Sequence, residues 1–360
     1  ILRRAIPSLC AGRAIPELVE FCKSSRIDEV MVFVDSEEFT HALPSVEWLD
    51  DYFPILQRIK SELQAIGVVF SMNPWVTLVH CDRGRDIRFT HPEVDLMVGH
   101  DGARSTACAC PLSHGWRNAT RELWHRYASL EPHVLWVEDD IRLLNHQPVT
   151  YGCFCPLHMQ EFSKRAGREV TREELVPALI APGEPHPYRR IWLDTNQDAM
   201  IDLASFLEAC VHEVSPNTRL GLMCSSPTSH AIEGRDWGAM TAALAGDKPL
   251  HVRPCMFNYT EDSPRGLYEA EYYFRATRHC VGSDAIIQTE IENVPFSTYS
   301  KSAKFTFLQI ALSFIFGADA VTLSIFDHMG TPIKLTPEFG KMLRDSKPYL
   351  DELAQRCHKG

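Results

Sequence analysis

A run of strand length and apolar character alternates with an amphipathic run of helix length about eight times along this chain. That rhythm constrains the fold more than any motif. Strands separated by helices pair in parallel, because each crossover helix must pack back onto the sheet. The strands are read at residues 5–10, 29–35, 68–73, 134–138, 219–224, 251–257, 285–290 and 320–326. Helix candidates between them include 15–24, 46–66, 116–128, 200–214, 268–279, 302–316 and 337–353. Eight pairs predict an α/β chain folded as one (β/α)8 TIM barrel over 1–360. A doubly wound open sheet is the competing fold, and no Gly-rich phosphate fingerprint follows the first strand to support it. The two longest connections, 74–115 after strand 3 and 141–198 after strand 4, are long insertions. In a barrel the loops after the strands build the active face, and loops of that length are usually functional.

Composition narrows the partners. The longest apolar stretch, 305–316, is interrupted by Gln309 and Ser313 and is too short to span a bilayer, so no membrane is expected. A formal charge of -11 with no Lys/Arg cluster argues against nucleic acid, whose phosphates need a basic surface. The twelve cysteines are scattered through strands and helices, which suggests a reducing, cytoplasmic setting, with export left open. The chain begins at Ile1 and is read as one domain that can belong to a longer protein.

Strand ends carry the chemistry in a barrel, and here they are rich in acids. Strand 2 ends in Asp35, strand 3 in Asn73 and Trp75, and strand 4 in Glu138-Asp139-Asp140. Strand 6 ends in Asn258-Tyr259, strand 7 in Glu290 and Glu292, and strand 8 in Asp327-His328. Alternation puts Glu138 and Asp140 on one face, and Gln288, Glu290 and Glu292 on another. Several acids in one barrel are costly to bury, which favours a site that uses them. Glycoside hydrolysis is the sharpest use: one carboxyl protonates the leaving oxygen and a second, about 5 to 5.5 Å away, attacks the anomeric carbon. Trp75, Trp136, Tyr259 and Phe326 are candidates to stack on sugar faces. The bland alternative pairs these acids with arginines such as Arg142 or Arg253. Two other functions compete: a metal-dependent hydrolase built on His80, Asp82, Asp327 and His328, and a catalytically silent carbohydrate-binding barrel.

Cys153-Phe-Cys155-Pro-Leu-His158 offers three metal donors on one short stretch, a spacing suited to tetrahedral zinc. A fourth donor would come from Cys108 or Cys110.

The run Cys110-Pro111-Leu112-Ser113-His114-Gly115-Trp116-Arg117, then Tyr127, then 134–140, then Cys153-Phe-Cys155, resembles the glycoside hydrolase family 42 β-galactosidases. Those enzymes carry Cys-Pro-x-Ser-Pro-x-Tyr-Arg, a helix, a strand ending Asp-Asn-Glu, and Cys-x-Cys-x2-Cys, in that order. Gly317-Ala318-Asp319 ahead of the last strand also looks like the family. The resemblance implies a retaining (β/α)8 glycosidase acting on β-galactoside-like or β-mannoside-like substrates. It implies no cofactor for catalysis, a structural zinc held by Cys110, Cys153, Cys155 and His158, and homo-oligomers, by analogy trimers. His158 stands where the family has its last Cys. Strand 4 departs from the family: by register the acid/base is Asp140, by residue type Glu138, and Asp139 replaces the Asn that binds the sugar 2-hydroxyl. Glu290 is the expected nucleophile, with Glu292 as its sugar-binding or tuning neighbour.

Overall fold

The computed structural model describes residues 1–34, 42–256, 258–293 and 299–358. Eight parallel strands close into a barrel: β1 (Leu2–Arg4), β2 (Glu29–Val34), β3 (Val69–Pro74), β4 (Val134–Val137), β5 (Arg219–Cys224), β6 (His251–Pro254), β7 (Ile286–Glu292) and β8 (Ala320–Ser324). Their order around the barrel follows the chain, with β1 paired to both β2 and β8. The outer helices are α1 (Ala11–Ser25), α2 (Val46–Gln64), α3 (His114–Ser129), α4 (Tyr188–His212), α5 (Trp237–Ala245), α6 (Leu267–Val281), α7 (Ala303–Phe316) and α8 (Pro337–His358). The expected TIM barrel is what forms.

Helix starts follow local chemistry. Ser45, Ser113 and Ser302 each turn a hydroxyl to the amide three residues on, which satisfies a donor that the first turn leaves open. The left-handed Gly317 (φ 95°) closes α7, a conformation without Cβ penalty. Helix α5 had no counterpart in the sequence reading. It is short and apolar, and its start is marked chiefly by Asp236, whose carboxylate caps the Ala239 amide.

The first strand needs correcting. It lies at Leu2–Arg4, whereas the expected segment 5–10 leaves the barrel, passes Pro7 and forms a single 3-10 turn at Ser8–Cys10 with Leu9 fully exposed. Two arginines disguised the true strand as a polar terminus. Both are buried: Arg3 meets the carboxylates of Glu138 and Glu292 inside the barrel, and Arg4 donates to the backbone carbonyls of Asp327 and Thr331.

Inward-facing residues stack in layers. Near the strand starts Ser71 donates to Glu29, and Gln288 meets His251. Above them Met31, Val134, Trp136 and Met223 form an apolar plug. The polar top layer is the candidate site. Both insertions carry structure: a hairpin of Leu96–Val98 with Arg104–Ala109 follows β3, and one of Leu144–His146 with Val149–Tyr151 follows β4. Helices Pro156–Ala166 and Arg172–Ile180 lead on to α4, where Phe154 stacks on Trp192 at 4.2 Å. Among the described residues no helix is long and apolar enough to cross a membrane.

Candidate active site

Three glutamates and two arginines make one network at the strand ends. Arg3, from β1, donates through Nη2 to Glu138 (2.7 Å), through Nη1 to Glu292 (3.0 Å), and through Nε and Nη2 to Asn73 Oδ1 (3.0 and 2.7 Å). Arg253, from β6, reaches Glu138 through Nη2 at 3.4 Å and ion-pairs with Glu290 through Nη1 at 2.9 Å. The Nη1 contact is close without being aligned as a hydrogen bond, and Arg253 Nε finds no acceptor among the described residues. Tyr259 donates its hydroxyl to the other Glu290 oxygen at 3.1 Å. All five charged groups are buried, an arrangement stable only because each charge meets an opposite one.

Electrostatics separate the acids. Burial pushes Glu290 up to about 7, with Glu292 adding and Arg253 opposing. Burial and Glu290 also push the Tyr259 phenol well above its ordinary range, so it remains a donor. Behind the site Lys301 donates a hydrogen bond to Gln309 Oε1 (2.8 Å), and burial lowers it to about 8 against the attraction of Glu292 and Glu290.

The strand-4 acids point three ways, because β4 stops at Val137 and the chain turns immediately. Glu138 points inward, into the network. Asp139 stands at the rim, where its oxygens meet His80 Nε2 (2.9 Å), the Ser225 hydroxyl (2.7 Å) and Arg142 Nη1 (3.2 Å). Burial would raise Asp139, but Arg142, His80 and Arg253 together hold it well below the usual carboxylate range. Asp140 turns away from the mouth: one oxygen accepts the amides of Thr77, Leu78 and Val79 at 2.7, 2.8 and 2.7 Å. Burial leaves it at about 6. It holds the loop after β3 and faces no substrate space.

Other expected site residues divide. Trp75 lies under the Arg3 guanidinium at 4.6 Å, with His80 and His328 against its ring at 5.9 and 5.5 Å. Asn73, Tyr259 and Glu292 join the network. Trp136 does not: two residues down β4, about 7 Å deeper at strand rise, it is a fully buried core ring. Phe326 packs outward against Phe21 and Phe339, away from any sugar. Asp327 caps a turn through the amides of Met329 and Thr331. Asn258 binds the Ser263 carbonyl in a left-handed conformation (φ 52°). Asp35 lies outside the described residues.

Sequence reasoning missed Arg3, Lys301 and Ser225, and named Arg253 and Arg142 only as bland partners. The alternation of Ile1-Leu-Arg3 would have placed Arg3 inward once the first strand was set correctly.

The sulfur cluster is separate. Cys110 Sγ lies 3.3 Å from His158 Nδ1 and 3.5 Å from Cys155 Sγ, and Cys155 Sγ is 3.6 Å from the same nitrogen. With Cys153 the four buried donor atoms lie within 4.8 Å of one another. Cys108 is outside this group, with its thiol on Asp82 at 3.6 Å. His80, Glu138 and Asp139 also converge within 4.8 Å, yet Arg3, Arg253 and Arg142 already neutralise those carboxylates. The rival set of His80, Asp82, Asp327 and His328 does not assemble, since Asp82 is taken up by the amides of Thr106 and Ala107.

No protein-family profile matches the chain, and no curated protein matches it. Solved structures do. The cold-adapted β-galactosidase of Rahnella sp. R3 is 16% identical with a TM-score of 0.63 over 99% of this chain and 57% of its own. Gan42B, a GH42 β-galactosidase of G. stearothermophilus, is 14% identical with a TM-score of 0.61 over 97% of this chain and 57% of its own. The PgaB glycoside hydrolase domain of Bordetella bronchiseptica is 12% identical with a TM-score of 0.59 over 98% of this chain and 97% of its own. The chain thus spans little more than half the length of these β-galactosidases. The likeness establishes the barrel fold.

Proposed function

We propose that the protein is a retaining β-glycosidase acting on β-galactoside-like or β-mannoside-like substrates by double displacement. The observation that carries this reading is one guanidinium, Arg253, anchoring carboxylates from β4 and β7. Glu138 and Glu290 are thereby held within reach of a single sugar ring. Glu290, bound also by Tyr259, is the nucleophile: its carboxylate attacks the anomeric carbon as the leaving oxygen takes a proton from the strand-4 side. Water then hydrolyses the glycosyl ester and returns the proton. Asp139, Trp75, Tyr259, Glu292 and His328 are the side chains proposed to meet the sugar, and no cofactor enters the chemistry. The fold shared with enzymes described as β-galactosidases and glycoside hydrolases supports the class.

The donor set of Cys110, Cys153, Cys155 and His158 fits a structural zinc: soft sulfurs and one imidazole nitrogen, all buried and convergent. Such an ion would clip the insertion after β3 to the one after β4. A homo-trimer, implied by the sequence resemblance, is a further proposal that light scattering checks.

Incubation with activated 2-fluoro β-glycosides of several sugars tests the reading. Mass spectrometry should find a glycosyl adduct on Glu290. An adduct on Glu292 moves the nucleophile, and no adduct with any sugar overturns the enzyme reading in favour of a silent carbohydrate-binding barrel.

A further inference from the structure

The insertion after β4 encloses a cavity of about 350 Å³ whose lining includes none of the residues of the acid network. One wall is a stripe of α4: Arg189, Trp192, Leu193 and Asn196 recur at intervals of three and four residues, which places them on one helical face. Val176 and Leu179 of helix Arg172–Ile180 form a second wall by the same spacing. The hairpin after β4 supplies a third, where Leu144 pairs with Tyr151. Of the other lining residues Ile180 and Ile232 are exposed, so the cavity opens to solvent past apolar side chains.

The charges at its walls are already met. Arg189 donates through Nε to the Leu179 carbonyl (2.5 Å) and through Nη2 to that of Ala181 (2.8 Å), at the C-terminal end of the neighbouring helix, where a cation is favoured. Glu233 accepts from Arg235 Nε (2.9 Å) and the Leu143 amide (2.6 Å), and meets His230 Nδ1 at 2.7 Å. One polar group differs. Asn196 is 1% exposed, yet its Oδ1 has no hydrogen-bond partner among the described residues. A buried amide oxygen without a donor is costly, so a ligand that brings an O–H gains there what no apolar molecule can. Size sets the rest of the ligand. An apolar cavity of about 150 Å³ takes up benzene, and this one has room for a body of about two rings between the aromatic side chains of Tyr151 and Trp192.

We propose that this cavity binds a small neutral aromatic alcohol, with its rings against Trp192, Leu193 and Val176 and its hydroxyl donated to Asn196 Oδ1. The site uses none of the residues placed in the reaction, and its occupation does not depend on the glycosidase reading.

Equilibrium dialysis at pH 7 with 2-naphthol, naphthalene and 2-naphthoate tests this. 2-Naphthol should bind once per chain, about 5- to 10-fold more tightly than naphthalene, as one neutral hydrogen bond provides. 2-Naphthoate should bind weakest, because no wall cation is left for it. N196L should abolish the preference for the alcohol while naphthalene still binds. L193W fills the cavity and should remove both ligands; V176W fills it from the other wall, and thermal unfolding shows which of the two variants is folded. No uptake of 2-naphthol, uptake that survives a folded filling variant, or a preference unchanged in N196L overturns the proposal. Tightest binding of 2-naphthoate would make Arg189 the anchor and overturns the neutral ligand. Concentration-dependent dimers that vanish in L193W, with no naphthol uptake, would seat a second chain in the cavity and overturn it as well.

Discussion

Arg253 stands 2.9 Å from Glu290, and its other terminal nitrogen faces Glu138 at 3.4 Å. Burial lifts Glu290 to about 7 while Arg253 pulls it down, so removing the arginine should lift it further. A nucleophile must be ionised, and kcat/KM should therefore fall as pH drops through about 7. In R253Q that acid limb should move to higher pH. An unmoved or lowered limb contradicts the roles given to this pair.

The same shift has a consequence for stability. The folded value of Glu290 is raised above its ordinary 4.5, so its protonation favours the folded state fully below about 4.5, and this contribution is lost as pH rises through about 7. E290Q stays neutral throughout. Between pH 5 and 8 the stability difference should therefore shift toward E290Q, by up to about 3 kcal/mol, on top of the pH-independent offset set by the lost contact with Arg253. Urea unfolding at a series of pH values measures this.

Asp140 joins three amides of the loop that carries His80. D140N keeps one acceptor oxygen but loses the charge that strengthens those bonds, and should cost about 1–3 kcal/mol of stability. Its activity should fall equally on good and poor leaving groups. A loss confined to poor leaving groups would make Asp140 the acid/base.

Metal analysis of the purified protein should find one zinc per chain. C155S and H158A should lose it and melt at lower temperature, because an unliganded cluster leaves buried thiols facing one another without a common partner. Chelation should lower Tm in wild type while the protein that remains folded keeps its kcat. A fall in kcat before any unfolding would place the metal in the reaction.

Gly221 permits the plug of the barrel. A Cβ there would come within 2.5 Å of the Trp136 ring, so G221A should destabilise by about 1–3 kcal/mol through overpacking. W136F shrinks that ring, and the two substitutions together should cost less than their sum. Strict additivity in thermal unfolding would show that the two positions do not press on each other.

Particular residues show which features are legible in one dimension. The alternation that predicts the barrel is local, because strand and helix periods are properties of neighbouring residues. Acids at strand ends are legible for the same reason, as are Cys153, Cys155 and His158 with their ligand spacing. The first strand was misplaced because arginine is normally a surface residue, and Arg3 is buried against Asn73, Glu138 and Glu292, which lie 70, 135 and 289 residues away.

The chain by itself determined that eight strands and their helices must close on one another, and that carboxylates gather where β4 and β7 end. Only the tertiary structure decided what each acid does. Glu138, Asp139 and Asp140 are adjacent in sequence, yet one enters an arginine network, one meets His80 at the rim and one ties down a loop. Direction past a strand end is set by backbone turns, and charge by partners brought from β1, β3 and β6. Neither is written in the spacing of residues along the chain.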